Sequence, residues 1–69
     1  MISEYYPLPY RVRGGRLNVR EAPGKKSKLK FSLESDSIVG LLYEDDESGW
    51  WYINSIYGNG WVDPQFLGD

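Results

Sequence analysis

The chain has 69 residues, a net charge of −2, and neither Cys nor His. That length holds one domain; it excludes disulfide staples and removes the commonest zinc ligands, so no metal and no cofactor is expected. The acidic balance opposes a nucleic-acid partner, which calls for a basic surface, and no apolar run approaches the ~20 residues that insertion across a membrane requires.

A domain this small is marginally stable unless something compensates for its limited core. The compensation available here is aromatic: three Trp, six Tyr and two Phe, each ring removing roughly 150–250 Å² from water when buried. Residues 1–20 lack the apolar core of a secretion signal. Read as complete, the chain is cytoplasmic; read as a domain of an exported parent, it belongs to the cell envelope or the extracellular space.

Sustained helical spacing of apolar residues is missing, and Gly and Pro punctuate short runs rich in β-branched and aromatic residues, the pattern of a small barrel or sandwich. Tyr5–Tyr10 reads Tyr-Tyr-Pro-Leu-Pro-Tyr. Its two prolines hold it extended, so residues 1–9 are expected to lead into a domain spanning 10–69. Tyr10–Arg13 is a candidate strand with Tyr10 and Val12 on one face, ended by Gly14-Gly15. Leu17 and Val19 face inward and alternate with Asn18 and Arg20. Glu21–Ser27 is a loop stiffened by Pro23-Gly24. Leu29, Phe31 and Leu33 alternate with Lys28, Lys30 and Ser32, which predicts a strand with one wet face.

Ile38–Tyr43 is apolar on both faces, so its inward side stays open, and Gly40 marks a bend, a bulge or a close backbone contact. Glu44–Gly49 is an acidic loop. Trp50–Asn54 is a strand, Ile56–Asn59 a tight turn and Gly60–Val62 the return strand. Asp63-Pro64-Gln65-Phe66 reads as one short 3₁₀ turn, because proline is preorganised for a first helical position. The expected fold is therefore all-β: five strands in a small, partly open barrel with one 3₁₀ turn near the C-terminus.

Leu17-Asn18-Val19-Arg20 followed by Ala22-Pro23-Gly24, then Ser48-Gly49-Trp50-Trp51-Tyr52-Ile53, then Gly60-Trp61-Val62 and finally Phe66-Leu67 together resemble the bacterial Src-homology-3-like (SH3b) domain family. The resemblance covers Leu17 to Leu67. It implies a five-stranded partly open barrel and a non-catalytic recognition module; many such modules are appended to envelope proteins and bind peptidoglycan or its peptides. No hydrolase is expected within these 69 residues. The related eukaryotic domains bind proline-rich peptides through a groove of tyrosines. In this chain the first groove run is Leu17-Asn18-Val19-Arg20-Glu21, and the closing turn carries Asp63 and Phe66 where the groove's proline and tyrosine would be. The hydroxyl donors that such a groove needs are thus missing at those sites.

The expected site is an exposed aromatic face. Strand alternation puts Trp51 and Ile53 on one face and Trp50 and Tyr52 on the other; the resemblance implies that Ile53 is inward, which turns Trp50 and Tyr52 outward, with Trp61 on the neighbouring strand in reach. Exposed rings of this kind are enriched at binding surfaces. Phe66 and Arg20 complete the candidate set, although an arginine there more often pairs across strands with a carboxylate. The acidic loop Asp45–Glu47 and the loop Glu21–Lys26 would flank the face, and Asp45 and Asp46 would attract a cationic or amine-bearing peptide. Enzymatic chemistry is not expected: general acid–base work at neutral pH recruits His or a retuned carboxylate or Lys, and the serines have no visible base partner. The reading is a module for a peptide or protein ligand, with a cell-wall peptide as one such ligand. The alternative is an assembly protein that uses the same face, or an edge strand, for protein–protein contact or self-association.

Overall fold

The computed structural model describes residues Leu8–Gly68. Its strands are β1 (Leu8–Val12), β2 (Leu17–Arg20), β3 (Leu29–Leu33), β4 (Ile38–Glu44), β5 (Trp51–Ser55), β6 (Gly58–Val62) and β7 (Leu67–Gly68), with one 3₁₀ turn at Pro64–Phe66. The all-β class and the 3₁₀ turn agree with the sequence. The strand count does not: among the described residues there are seven strands in one open antiparallel sheet, ordered β3-β2-β6-β5-β4-β1-β7, rather than five.

The six extended runs read from the sequence each form a separate strand, one more than a five-stranded barrel holds, and the two ends of the described segment differ further. The segment expected to lead into the first strand already pairs within it, Leu8 opposite Leu41 and Pro9 opposite Gly40. Pro9 is tolerated because β7 pairs with β1 only at Arg11 and Val12, which leaves β1 an edge strand where the proline lacks its N–H. At the other end, Leu67 and Gly68 leave the 3₁₀ turn extended and add a two-residue strand. Tyr5, Tyr6 and Pro7 lie outside the described residues.

One cluster forms the core: Val12, Leu17, Val19, Leu33, Val39, Leu41, Ile53 and Val62, all 9% exposed or less. Six strands contribute to it, and among the described residues no helix covers it. A sheet can bury such a face without a second layer only by coiling over itself. Each of these side chains contributes roughly 1.5–3 kcal/mol on burial. Tyr10, Phe31, Trp51 and Leu67 pack around the cluster, and Tyr10 meets Trp51 edge to face at 4.9 Å. Among the described residues no helix is long and apolar enough to cross a membrane.

Two bulges set which side chains face out. In β3 the register moves from Val19–Phe31 to Arg20–Leu29, so that Lys30 is the extra residue. Leu29 is therefore turned outward and is 49% exposed, where strict alternation with Phe31 and Leu33 predicts it inside. In β4 the register moves from Leu41–Ile53 to Tyr43–Tyr52, which makes Leu42 the extra residue. Val39 and Leu41 point into the core, while Ile38, Leu42 and Tyr43 are exposed. The irregularity follows Gly40 rather than falling on it.

Candidate functional site

The pairing registers align one row of outward side chains across the middle of the sheet. Tyr43 on β4 faces Tyr52 on β5, Tyr52 faces Trp61 on β6, and Trp61 faces Arg20 on β2. The Tyr52 and Trp61 ring centroids are 5.2 Å apart. Tyr43 reaches past the intervening strand to meet Trp61 edge-on at 6.0 Å. The β4 bulge supplies Tyr43: were this sequence paired in an unbroken register, Leu42 would oppose Tyr52. Re-aiming a side chain in this way is a recurrent use of bulges.

Beneath the row the backbone is held by the core. Ile53 and Val62 are completely buried and Gly60 is buried, so Tyr52 and Trp61 alternate with inward residues on both strands. A Cβ at Gly60 would run into Val19 Cγ1 and come to 3.1 Å from the Arg20 carbonyl oxygen. Glycine at this position lets β6 lie close against β2, and that closeness places Trp61 beside Arg20.

Next to the Arg20 end of the row lies an open cavity of about 210 Å³. It is lined by the apolar residues Leu17, Trp50 and Phe66, by the basic residues Arg16, Arg20 and Lys25 and, among the described residues, by one acidic residue, Asp63. Each group is held by local structure. The Arg20 guanidinium donates through Nη1 to the Ser27 carbonyl oxygen (3.0 Å). Ser27 Oγ lies 2.6 Å from the Ala22 carbonyl oxygen and 2.9 Å from that of Gly24. These contacts fold the loop 21–28 back on itself and carry Lys25 to the cavity. Arg16 Nη1 donates to Ser32 Oγ at 3.2 Å.

Asp63 accepts from the Gln65 backbone N–H (3.2 Å) and from Gln65 Nε2 (2.8 Å). This caps the 3₁₀ turn. The Phe66 carbonyl accepts from Arg13 N–H at 2.8 Å, which fixes the turn against the end of β1.

Trp50 precedes β5 and its backbone N–H donates to Ser48 Oγ at 3.1 Å. Ser48 in turn is held by Asp45 Oδ2, which lies 2.6 Å from its hydroxyl and 3.1 Å from its backbone N.

Comparison with family models, curated proteins and solved structures returned no match.

The structure thus divides the predicted site residues. Tyr52 and Trp61 stand together in the row, and Trp50 and Phe66 stand together in the cavity. Arg20 is common to both, its hydrogen bond going to a carbonyl rather than to a carboxylate. Asp45 belongs to neither and closes the β4–β5 turn. Asp46 lines a shallow groove beyond the far end of the row, with Leu42, Tyr43 and Glu44. Sequence reasoning missed Tyr43, because the bulge that exposes it breaks the period of two. It also missed Arg16, and it placed the loop 21–26 beside the face without singling out Lys25.

Proposed function

We propose that this chain is a non-catalytic binding module of the bacterial Src-homology-3-like kind, which holds a peptide or protein segment across the Tyr43–Tyr52–Trp61 row. The observation that carries this reading is the row itself: three aromatic side chains on the outer face of a sheet, with Trp61 in ring contact with both Tyr43 and Tyr52 and Tyr43 58% exposed. Tyrosine and tryptophan offer a large apolar area, few rotatable bonds and a polar tip, and these properties concentrate binding energy at interfaces. The ordered motifs from Leu17 to Leu67 support the family assignment, and the absence of His and Cys supports a module without chemistry of its own.

A cell-wall peptide is the ligand class to test first. The purified chain is expected to pellet with peptidoglycan sacculi, and Tyr43→Ala, at an exposed position, is expected to lose most of that retention. Equal pelleting of both proteins, or none of either, would remove the cell wall as ligand.

Assembly is supported by a separate observation. The outer edge of β3 has no neighbouring strand among the described residues, and exposed edges invite pairing with another chain. A monomer by light scattering up to about 1 mM, the weak end of specific association, would set self-association aside.

A further inference from the structure

We propose that the cavity at the Arg20 end of the row is a carboxylate subsite, and that the bound segment is a peptide presenting an acidic side chain or its own C-terminus there. The proposal rests on the row as the peptide's path and adds the chemistry of the group at its end.

Charge comes first. Arg16, Arg20 and Lys25 line one cavity together with apolar side chains, with Asp63 as the only acidic residue lining it among the described residues, on a chain whose net charge is −2. Local excess of positive charge therefore runs against the sign of the molecule. Asp63 has both oxygens engaged by Gln65, and among the described residues none of the three cations has an ion pair. Arg16 and Arg20 each use Nη1 for a hydrogen bond to a neutral oxygen, which leaves other guanidinium N–H donors to offer. Guanidinium donors bind carboxylates in a planar, charge-assisted geometry.

Size comes second. A volume of about 210 Å³ is below the ~300–1,000 Å³ of pockets that enclose a whole small ligand. It admits one side chain or one chain terminus, so the rest of the ligand must lie outside. The adjoining surface is the aromatic row, and a carboxylate is the anion that an unmodified peptide carries. From Arg20 to Tyr43 the row crosses three strand spacings, roughly 14 Å, a distance that about five extended residues cover. Glu44 and Asp46 lie at the Tyr43 end. The path therefore runs from an acidic to a basic pole, which orients a peptide by charge.

The test is titration of the full ¹⁵N-labelled chain with three probes: N-acetyl-Phe-Ala-Phe-Ala-Glu amide, the same peptide with Gln for Glu, and the Gln peptide with a free C-terminal carboxylate. One of the two carboxylate peptides is expected to bind about tenfold more tightly than the neutral one, and which of them wins identifies side chain or terminus. Resonances of Trp50, Phe66 and Arg20 are expected to shift, with the preference shrinking several-fold as salt rises from about 0.05 to 0.5 M. Lys25→Gln, an exposed position, is expected to reduce the preference several-fold with the melting temperature unchanged. Equal affinities with shifts confined to Tyr43, Tyr52 and Trp61 would overturn the subsite and leave the row standing. No shifts with any probe at millimolar concentration would overturn both.

Discussion

Tyr52 and Trp61 occupy directly opposed positions on β5 and β6, with ring centroids 5.2 Å apart and planes inclined at 49°. Trp61 also receives the edge of Tyr43, at 6.0 Å and 85°. It is therefore the ring through which the row communicates, and its other neighbour is Arg20. The residues on either side of it in the chain, Gly60 and Val62, are buried. An outward ring on so fixed a backbone has little freedom to lose when a ligand covers it, and this favours binding.

The Tyr52–Trp61 contact is expected to be energetically coupled. In a double-mutant cycle of Tyr52→Ala and Trp61→Ala, followed by urea denaturation, the interaction energy should be about 0.5–1.5 kcal/mol. Additivity within error would mean that the rings merely lie near each other.

Two glycines of β6 are required for different reasons, and substitution separates them. Gly58 has φ of 129°, and a Cβ there would meet only Phe31 Cε2, at 4.0 Å. Gly58→Ala meets backbone strain and open space, and should cost about 1–2 kcal/mol. Gly60 lacks a positive φ, but its Cβ would collide with Val19 and crowd Arg20. Gly60→Ala should cost about 1–3 kcal/mol through overpacking and should disturb Trp61. D-alanine at position 58 should recover most of the lost stability, whereas D-alanine at position 60 should not. Gly60→Ala with the stability of the parent would show that the β2–β6 approach has slack.

The sequence makes legible whatever follows a strict period. Leu17, Val19 and Leu33 are inward as their alternation predicts, and the glycine–proline punctuation marks most strand ends. It fails where one residue is added. The extra Lys30 turns Leu29 outward, and the extra Leu42 exposes Tyr43. A bulge has no signature in composition, since it is stabilised by pairing with a strand distant in sequence. Trp50 shows a second limit. Alternation through Trp50–Asn54 puts it on the Tyr52 face, but the strand begins at Trp51, and Trp50 turns with the preceding loop toward Leu17 and Phe66. Lys25 shows a third, because its place depends on how Ser27 and Arg20 fold a loop.

Asp45 is expected to act on stability rather than on a cationic ligand. Its carboxylate holds Ser48, and Ser48 holds the Trp50 backbone N–H. Asp45→Ala should cost about 1 kcal/mol, a fall of roughly 4–8 °C in melting temperature for a domain of this size. Asp45→Asn keeps an acceptor oxygen and should recover most of it. If thermal melts of both variants matched the parent while binding of an amine-bearing peptide fell equally in both, the role would be electrostatic instead.

The β4 bulge makes a prediction that depends on an accident of sequence. Leu41 and Leu42 are identical neighbours, so deleting either gives one and the same protein. The ladder on both sides of the bulge already pairs Leu41 with Ile53 and Tyr43 with Tyr52. A chain with a single leucine there can keep both pairs in an unbroken antiparallel register, with the remaining leucine in the buried position and an exposed apolar side chain removed. The fold should persist, with a melting temperature within about 5 °C of the parent, corresponding to roughly 1 kcal/mol, and the Tyr43–Trp61 contact should remain visible as a nuclear Overhauser effect. Deleting Tyr43 instead would bring Glu44 opposite Tyr52 and empty one end of the row. A single-leucine variant that unfolds would show that the added twist of the bulge, rather than the placement of Tyr43, is what the sheet requires in order to coil over its core.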